Sequence, residues 1–477
     1  MKIEKMNKYF LIIILVACFS CTEGFKEINT NPNSPVEVQP DLLLRQVIYD
    51  YGDEMAYEGF VAGNLLGQYF TAIDFNLFDR HSLSEPQFGG NPWPTLYKNL
   101  RDNEIILEQA RTTPALAVYE GPSLILKAYL TAALTDIYGD VPYSEALQGD
   151  EGLVTPRYDP QAQVYNGENG ILDNLRKGIA AIQNYEGAAI LDGDIIYGGD
   201  LDKWIKFGNS LLIKSLMRIS ERQDVSPELQ QVFNEGNYIR SNAENAVFGF
   251  ADSQPNNFRM ANLRSGDFNL FILSETMEEV LKDLNDPRLP IFFRPAANSG
   301  NFAGLLNGPD ASQTSISVAD FSLAGEIFRE NPGSLNANFI TAWETAFFLA
   351  EAAERGLIFG NAQQLYESAV TMAFEFWNAE LPTAYLVDGP AAFGQNGANK
   401  IEQILTQKWI ANIINGYEGW VDYRRTSFPN LKTISASLNN NLIPARMPYP
   451  ADEEALNQEN FNAVGNDINQ RVWWDVD

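Results

Sequence analysis

The stretch Ile340-TAWETAFFLAEAAERGLIFGNAQQLYESAVTMAFEFW-Asn378 decides the fold. Leu349, Ala350 and Ala353 come before Gly360, and Ala362, Tyr366 and Ala369 come after it. That order follows a tetratricopeptide unit, in which small residues stand where two antiparallel helices cross and an aromatic fills the gap beside them. Ala350 and Ala362 lie twelve residues apart, as the template places its first two small positions. Working outward, Asp200 to Glu221 carries Leu201, Trp204, Ile205, Leu211, Leu212, Leu216 and Ile219 at helical spacing, with Asp200 as the expected N-cap. Helical pattern also runs over Tyr97–Ala110, Ser123–Tyr138 and about Gln161–Asn184, so 97–138 and 161–222 read as degenerate relatives of the same unit. From Asp41, taken as a cap, Leu42, Leu43, Val47 and Ile48 open a further helix. Residues 224–335 are richer in Asn, Gly, Ser and Pro and read as a loop-rich insertion holding one helix near Ser274–Asn285. The expectation is a mostly α-helical chain.

Composition narrows the function classes. At roughly 150 residues per domain, 477 residues suggest about three domains, although helical arrays run long as one unit. Lys plus Arg is 33 against 62 Asp plus Glu, a net charge of -29 with no offsetting basic block, so nucleic acid is a poor partner. His81 is the only histidine, which rules out a zinc site built on several imidazoles. Cys18 and Cys21 are the only cysteines, so no thiol chemistry is available beyond Thr22. There is no G-x-S-x-G elbow, Walker loop or G-x-G-x-x-G fingerprint. No cofactor or metal is called for, and the balance leans towards a binding protein.

The N-terminus reads as an address. Lys2, Lys5 and Lys8 precede the uncharged run Tyr9–Ser20, which is too short to span a bilayer and fits a secretory signal. Cys21 closes that run at the polar boundary and is preferred over Cys18 as the residue that is cleaved before and lipidated. Loss of Met1–Ser20 takes the net charge to -31. Residues 21–40, with Asn31-Pro32 and Ser34-Pro35, then form an extended leader, and 41–477 form the folded body.

Several strings along the body carry a resemblance. Phe25-Lys26-Glu27-Ile28-Asn29-Thr30-Asn31-Pro32-Asn33 follows the cysteine, and Gly139-Asp140-Val141-Pro142-Tyr143 lies mid-chain with Glu145-Ala146 after it. Arg446-Met447-Pro448-Tyr449-Pro450, Glu453-Glu454 and Asn457 come near the end, before Val472-Trp473-Trp474. In this order the chain resembles the SusD/RagB nutrient-binding outer-membrane lipoproteins of Bacteroidota. The resemblance implies four tetratricopeptide-like helix pairs packed against a loop-rich, ligand-binding half. It also implies a SusC-like TonB-dependent β-barrel as partner, over which the lipoprotein sits as a lid, and outer-membrane lipid around the acylated cysteine. Oligosaccharide is the expected ligand and oligopeptide the alternative, since importers of both share the fold.

Candidate ligand contacts come from aromatics in irregular segments. Phe75, Phe78, Phe88 and Trp93 lie among Asn, Asp, Gly and Pro, and Tyr417 and Trp420 form a second group. Their flat faces suit sugar rings or peptide side chains. The five singled out are Phe75, Phe78, Trp93, Tyr417 and Trp420, with Pro92 and Pro94 making Trp93 a rival structural plug beneath Tyr97. Asp192, Asp194, Asp200 and Asp202 read as turn and cap residues rather than calcium ligands, their spacing being wrong for an EF-hand. A helical glycosidase would need two converging carboxylates. Asp53/Glu54 and Glu278/Glu279 are adjacent on helices and so point about 100° apart.

Overall fold

Residues 38–83, 88–310, 312 and 315–476 are described by a computed structural model; the secretory segment, Cys18, Cys21 and the leader to residue 37 lie outside the described residues. The principal helices are α1 (Pro40–Glu58), α2 (Trp93–Thr112), α3 (Glu120–Tyr138), α4 (Ile171–Gln183), α5 (Leu201–Ile219), α6 (Ser226–Glu235), α7 (Glu275–Asp283), α8 (Ala342–Glu354), α9 (Ala362–Phe376), α10 (Lys400–Ala411) and α11 (Glu418–Thr426). They pack in sequence: α1 on α2, α2 on α3, α3 on α4, α4 on α5, α5 on α8, and α8 on α9 and α10. Six short strands make three antiparallel pairs: β1 (Phe70–Ala72) with β5 (Phe271–Leu273), β2 (Val141–Pro142) with β3 (Tyr158–Asp159), and β4 (Ala246–Gly249) with β6 (Asn336–Ile340).

The tightest crossing shows why the array needs small residues. Gly121 on α3 faces Gly178 on α4, and a Cβ on either would lie 2.8–2.9 Å from the other's carbonyl oxygen. In the 340–378 unit, Ala350, Ala369 and Ala373 are wholly buried, and Tyr366 fills the adjoining gap with its hydroxyl donating to the Ala391 carbonyl at 2.8 Å. Ala362 is not at the crossing. It is the half-buried first residue of α9, behind the Asn361 cap.

Other boundaries moved for identifiable reasons. Asp200 caps α5 as expected, accepting from the Lys203 N–H, whereas Asp41 is not the cap of α1. Gln39 holds that place and Pro40 takes the first turn, where its missing N–H costs nothing. The Pro92-Trp93-Pro94 string starts α2 four residues before Tyr97, for the same reason. The 224–335 segment is not all loop, since α6 occupies its start and packs on α5 before Gly236 turns the chain at φ +65°.

Two features bind distant elements together, the first between helices and the second between loops. The first is a buried charge network. Lys214 lies 2.9 Å from both Glu344 and Glu418, Arg218 reaches Asp136 at 3.0 Å and Glu418 at 2.9 Å, and Lys408 pairs with Asp422 at 2.8 Å. Arg425 grips Glu351 through two parallel bonds of 2.7 Å. The second is the junction of Gly139–Tyr143 with the C-terminal Arg446–Pro450 segment. Met447 N–H donates to the Ile137 carbonyl at 2.9 Å, and the Tyr449 hydroxyl to that of Asp140 at 2.6 Å. The motifs of the resemblance are therefore structural joints.

Candidate functional site

The loop after β1 is held by one buried carboxylate. Asp79 accepts from Thr71 Oγ1 (2.7 Å), Ala72 N–H (3.1 Å), Asn307 Nδ2 (2.7 Å) and Gly308 N–H (2.7 Å). Burial pushes its carboxyl up to about 6 against those hydrogen bonds. Asn76 adds bonds to the Ala72 and Pro309 carbonyls at 3.0 and 2.6 Å. With its base fixed, the loop presents Phe75 and Leu77 to solvent, at 51% and 39% exposure.

The same loop is tied to a second one. Arg80 Nε donates to the Ala436 carbonyl at 2.8 Å, and the Arg80 carbonyl accepts from Leu438 N–H at 2.8 Å. His81 is buried, which lowers its pKa to about 4, so the neutral imidazole donates from Nδ1 to the Leu442 carbonyl at 3.0 Å. Leu438 and Leu442 stand out at 50% and 52% exposure. Four exposed apolar side chains thus stand on two loops that are hydrogen-bonded to each other. His81 and Leu442 line a groove of about 410 Å³, whose walls include Arg424, Lys432, Asn441, Asn469 and Arg471.

Of the five aromatics, only Phe75 is exposed. Phe78 is buried beneath the loop. Trp93 is enclosed by Tyr97, Tyr138 and Tyr449, with ring centroids at 4.8, 4.9 and 5.7 Å, and is the structural plug. Tyr417 is buried with its hydroxyl on Glu58. Trp420 is fully covered, its Nε1 donating to the Pro444 carbonyl at 2.9 Å and the Arg424 guanidinium lying 3.6 Å from its ring centre. A ring with both faces covered offers nothing to a ligand, so these four are corrected to core. Trp420 still matters indirectly, because Pro444 and Arg424 belong to the groove wall.

Glu58 ties Gly90, just before α2, to Tyr417. It accepts from Gly90 N–H at 2.7 Å and from Tyr417, and burial raises its pKa to about 7. The chain after it makes a single π-helical turn, Gly59–Gly63, because the 414–416 backbone presses on it. A Cβ on Gly63 would lie 1.9 Å from the Gly416 carbonyl oxygen.

The acidic pairs are committed elsewhere. Asp53 and Glu54 share Arg259 at 2.8 and 2.5 Å. Glu278 accepts from Gly304 N–H at 2.6 Å, while Glu279 pairs with Lys432 at 2.6 Å. Asp194 gathers the N–H groups of Ile196, Tyr197 and Gly199 and the Trp204 indole, which makes it a turn organiser.

Residues 32–450 match a SusD-like family described as starch-binding and associating with the outer membrane. The chain belongs to this family. Among solved structures, a SusD homologue from Bacteroides fragilis is 26% identical, with a TM-score of 0.78, over 92% of this chain and 99% of that one. A chitin-binding protein is also 26% identical, with a TM-score of 0.76, over 92% and 100%. A chitin-binding SusD homologue from Flavobacterium johnsoniae, at 22% identity over 91% and 98%, shares the fold with a TM-score of 0.76. No similar protein was found among curated sequences. The mostly helical architecture is that of SusD homologues, and the family is associated with the outer membrane. Among the described residues no helix is long and apolar enough to cross a membrane.

The groove residues were missed because they are not aromatic. Arg424, Asn441, Asn469 and Arg471 have no periodicity. The available signal was the Asn439-Asn440-Asn441 run, where Asn440 and Asn441 adopt φ of +53° and +62°.

Proposed function

We propose that the chain is a cell-surface lipoprotein that captures oligosaccharide in the groove between the 73–83 and 431–445 loops and passes it to a SusC-like TonB-dependent β-barrel. The observation that carries this is a polar groove lined by His81, Leu442, Asn441, Asn469 and Arg471, with Phe75, Leu77 and Leu438 exposed on the loops joined to it. Apolar side chains take the C–H faces of sugars, while Asn and Arg side chains take hydroxyls. The chitin-binding relative favours glycan over peptide as the ligand. The role is binding rather than hydrolysis, so glycan incubated with the protein should yield no new reducing ends.

Anchorage is through a lipidated Cys21, with residues 22–37 as tether. Because the acyl chains bury about 0.8 kcal/mol per CH₂, a lipidated cysteine holds the body at the membrane without a spanning helix. A lid must open and close, and ligand favours closure only by binding that state better. The test is purification from detergent-solubilised outer membrane. It should bring down a β-barrel of larger mass, with mass spectrometry showing a mature terminus at lipidated Cys21. A free monomer under mild conditions, or an unmodified terminus, refutes the respective assignment.

A further inference from the structure

We infer that the groove selects an acidic oligosaccharide, one carrying uronate carboxylates, an inference that rests on the reading of this groove as the glycan site. In a chain of net charge -29, its walls carry Arg424, Lys432 and Arg471 against Asp475, with His81 uncharged. Lys432 is already neutralised by Glu275 and Glu279, each at 2.6 Å. The two arginines differ. Arg471 is 53% exposed along its side chain, and the carboxylate paired with it, Asp475, is 3.6 Å away. Its fork is free to turn towards the groove and match a ligand carboxylate through two bonds.

Arg424 supplies the second, independent observation. It is 94% buried, lies on the Trp420 ring and near that of Trp474, and donates only to the Ala445 and Asp136 carbonyls, both at 2.7 Å. Its Nε is buried with no hydrogen-bond partner. The other buried arginines that meet carboxylates, Arg218, Arg288 and Arg425, have them at 2.6–3.0 Å. Burial depresses Arg424 to about 9, with Asp136 and Asp475 only partly opposing it. A buried cation whose nearby carboxylates only partly offset its burial is costly, and an anion entering the groove would relieve that cost. Neutral sugar would not.

The test is calorimetry on the full chain in detergent with hexagalacturonate, its fully methyl-esterified form and maltohexaose. The acid should bind about tenfold more tightly than the ester, and raising salt from about 0.05 to 0.5 M should erase the difference. Arg471→Gln should remove most of the preference by weakening the acid far more than the ester, and Arg471→Lys should restore part of it. Equal binding of acid and ester, or tighter maltohexaose binding, with Phe75→Ala weakening all three, overturns this inference and leaves the glycan site standing. A preference for the acid that Arg471→Gln does not touch also overturns it. Binding of none of these glycans, with a peptide bound instead, overturns the glycan site itself.

Discussion

Glu351→Gln is the sharpest test of how the helical array holds α11 in place. Glu351 on α8 has no solvent exposure and accepts two bonds of 2.7 Å from Arg425 on α11, plus one of 2.8 Å from Arg355. Burial alone would raise its pKa, but Arg425 and Arg355 outweigh it and hold the carboxyl at about 2 against an ordinary 4.5. The folded value is depressed, so the stabilisation is fully present above pH 4.5 and is lost as pH falls towards 2. A shift of that size is worth about 3 kcal/mol. Glutamine keeps the shape and one acceptor but removes the charge, leaving Arg425 with Asp422 at 3.4 Å as its remaining partner. Urea titration at pH 7 should therefore show a loss of about 2–3 kcal/mol, below the 3–5 of a fully orphaned partner. Between pH 5 and pH 2 the wild type should lose stability faster than the variant. A variant within about 0.5 kcal/mol of wild type, or parallel pH profiles, refutes the clamp.

Phe75→Ala removes half of an exposed ring face, about 50 Å² of contact, and should weaken glycan binding about tenfold by calorimetry with an unchanged melting curve. Ala350→Leu should overpack the α8–α9 crossing and cost about 1–3 kcal/mol, whereas Ala362→Leu, at the half-buried start of α9, should melt within a degree or two of wild type. Gly63→Ala forces the π-helical turn away from the Gly416 carbonyl; it should destabilise by several kcal/mol, on the order of a severe core defect, and native-state exchange should show the 412–417 backbone opening first.

Helices were legible where burial has a period. The stripe from Leu201 to Ile219 and the small-residue string around Ala350 needed nothing beyond spacing, and Asp200 and Asn361 cap as their chemistry dictates. Proline at the first turn was underweighted, which is why α1 and α2 begin earlier than expected. The Gly121–Gly178 crossing was out of reach, because glycine in a helix reads as weakness until its partner glycine is known.

The site was harder to read because an aromatic in an irregular segment is ambiguous in one dimension. Phe75 and Phe78 stand in the same short loop, yet Asp79 draws the loop inward and leaves one ring outside and the other in. Trp93 and Trp420 lie far apart in sequence among polar residues, but Tyr138, Tyr449 and Pro444 arrive from elsewhere to cover them. What remains exposed is set by those distant arrivals: the loops bearing Phe75 and Leu442 are joined only because Arg80 and His81 fasten them together. The binding surface is therefore a property of the joints. His81, through its bond to the Leu442 carbonyl, holds one wall of the groove in shape.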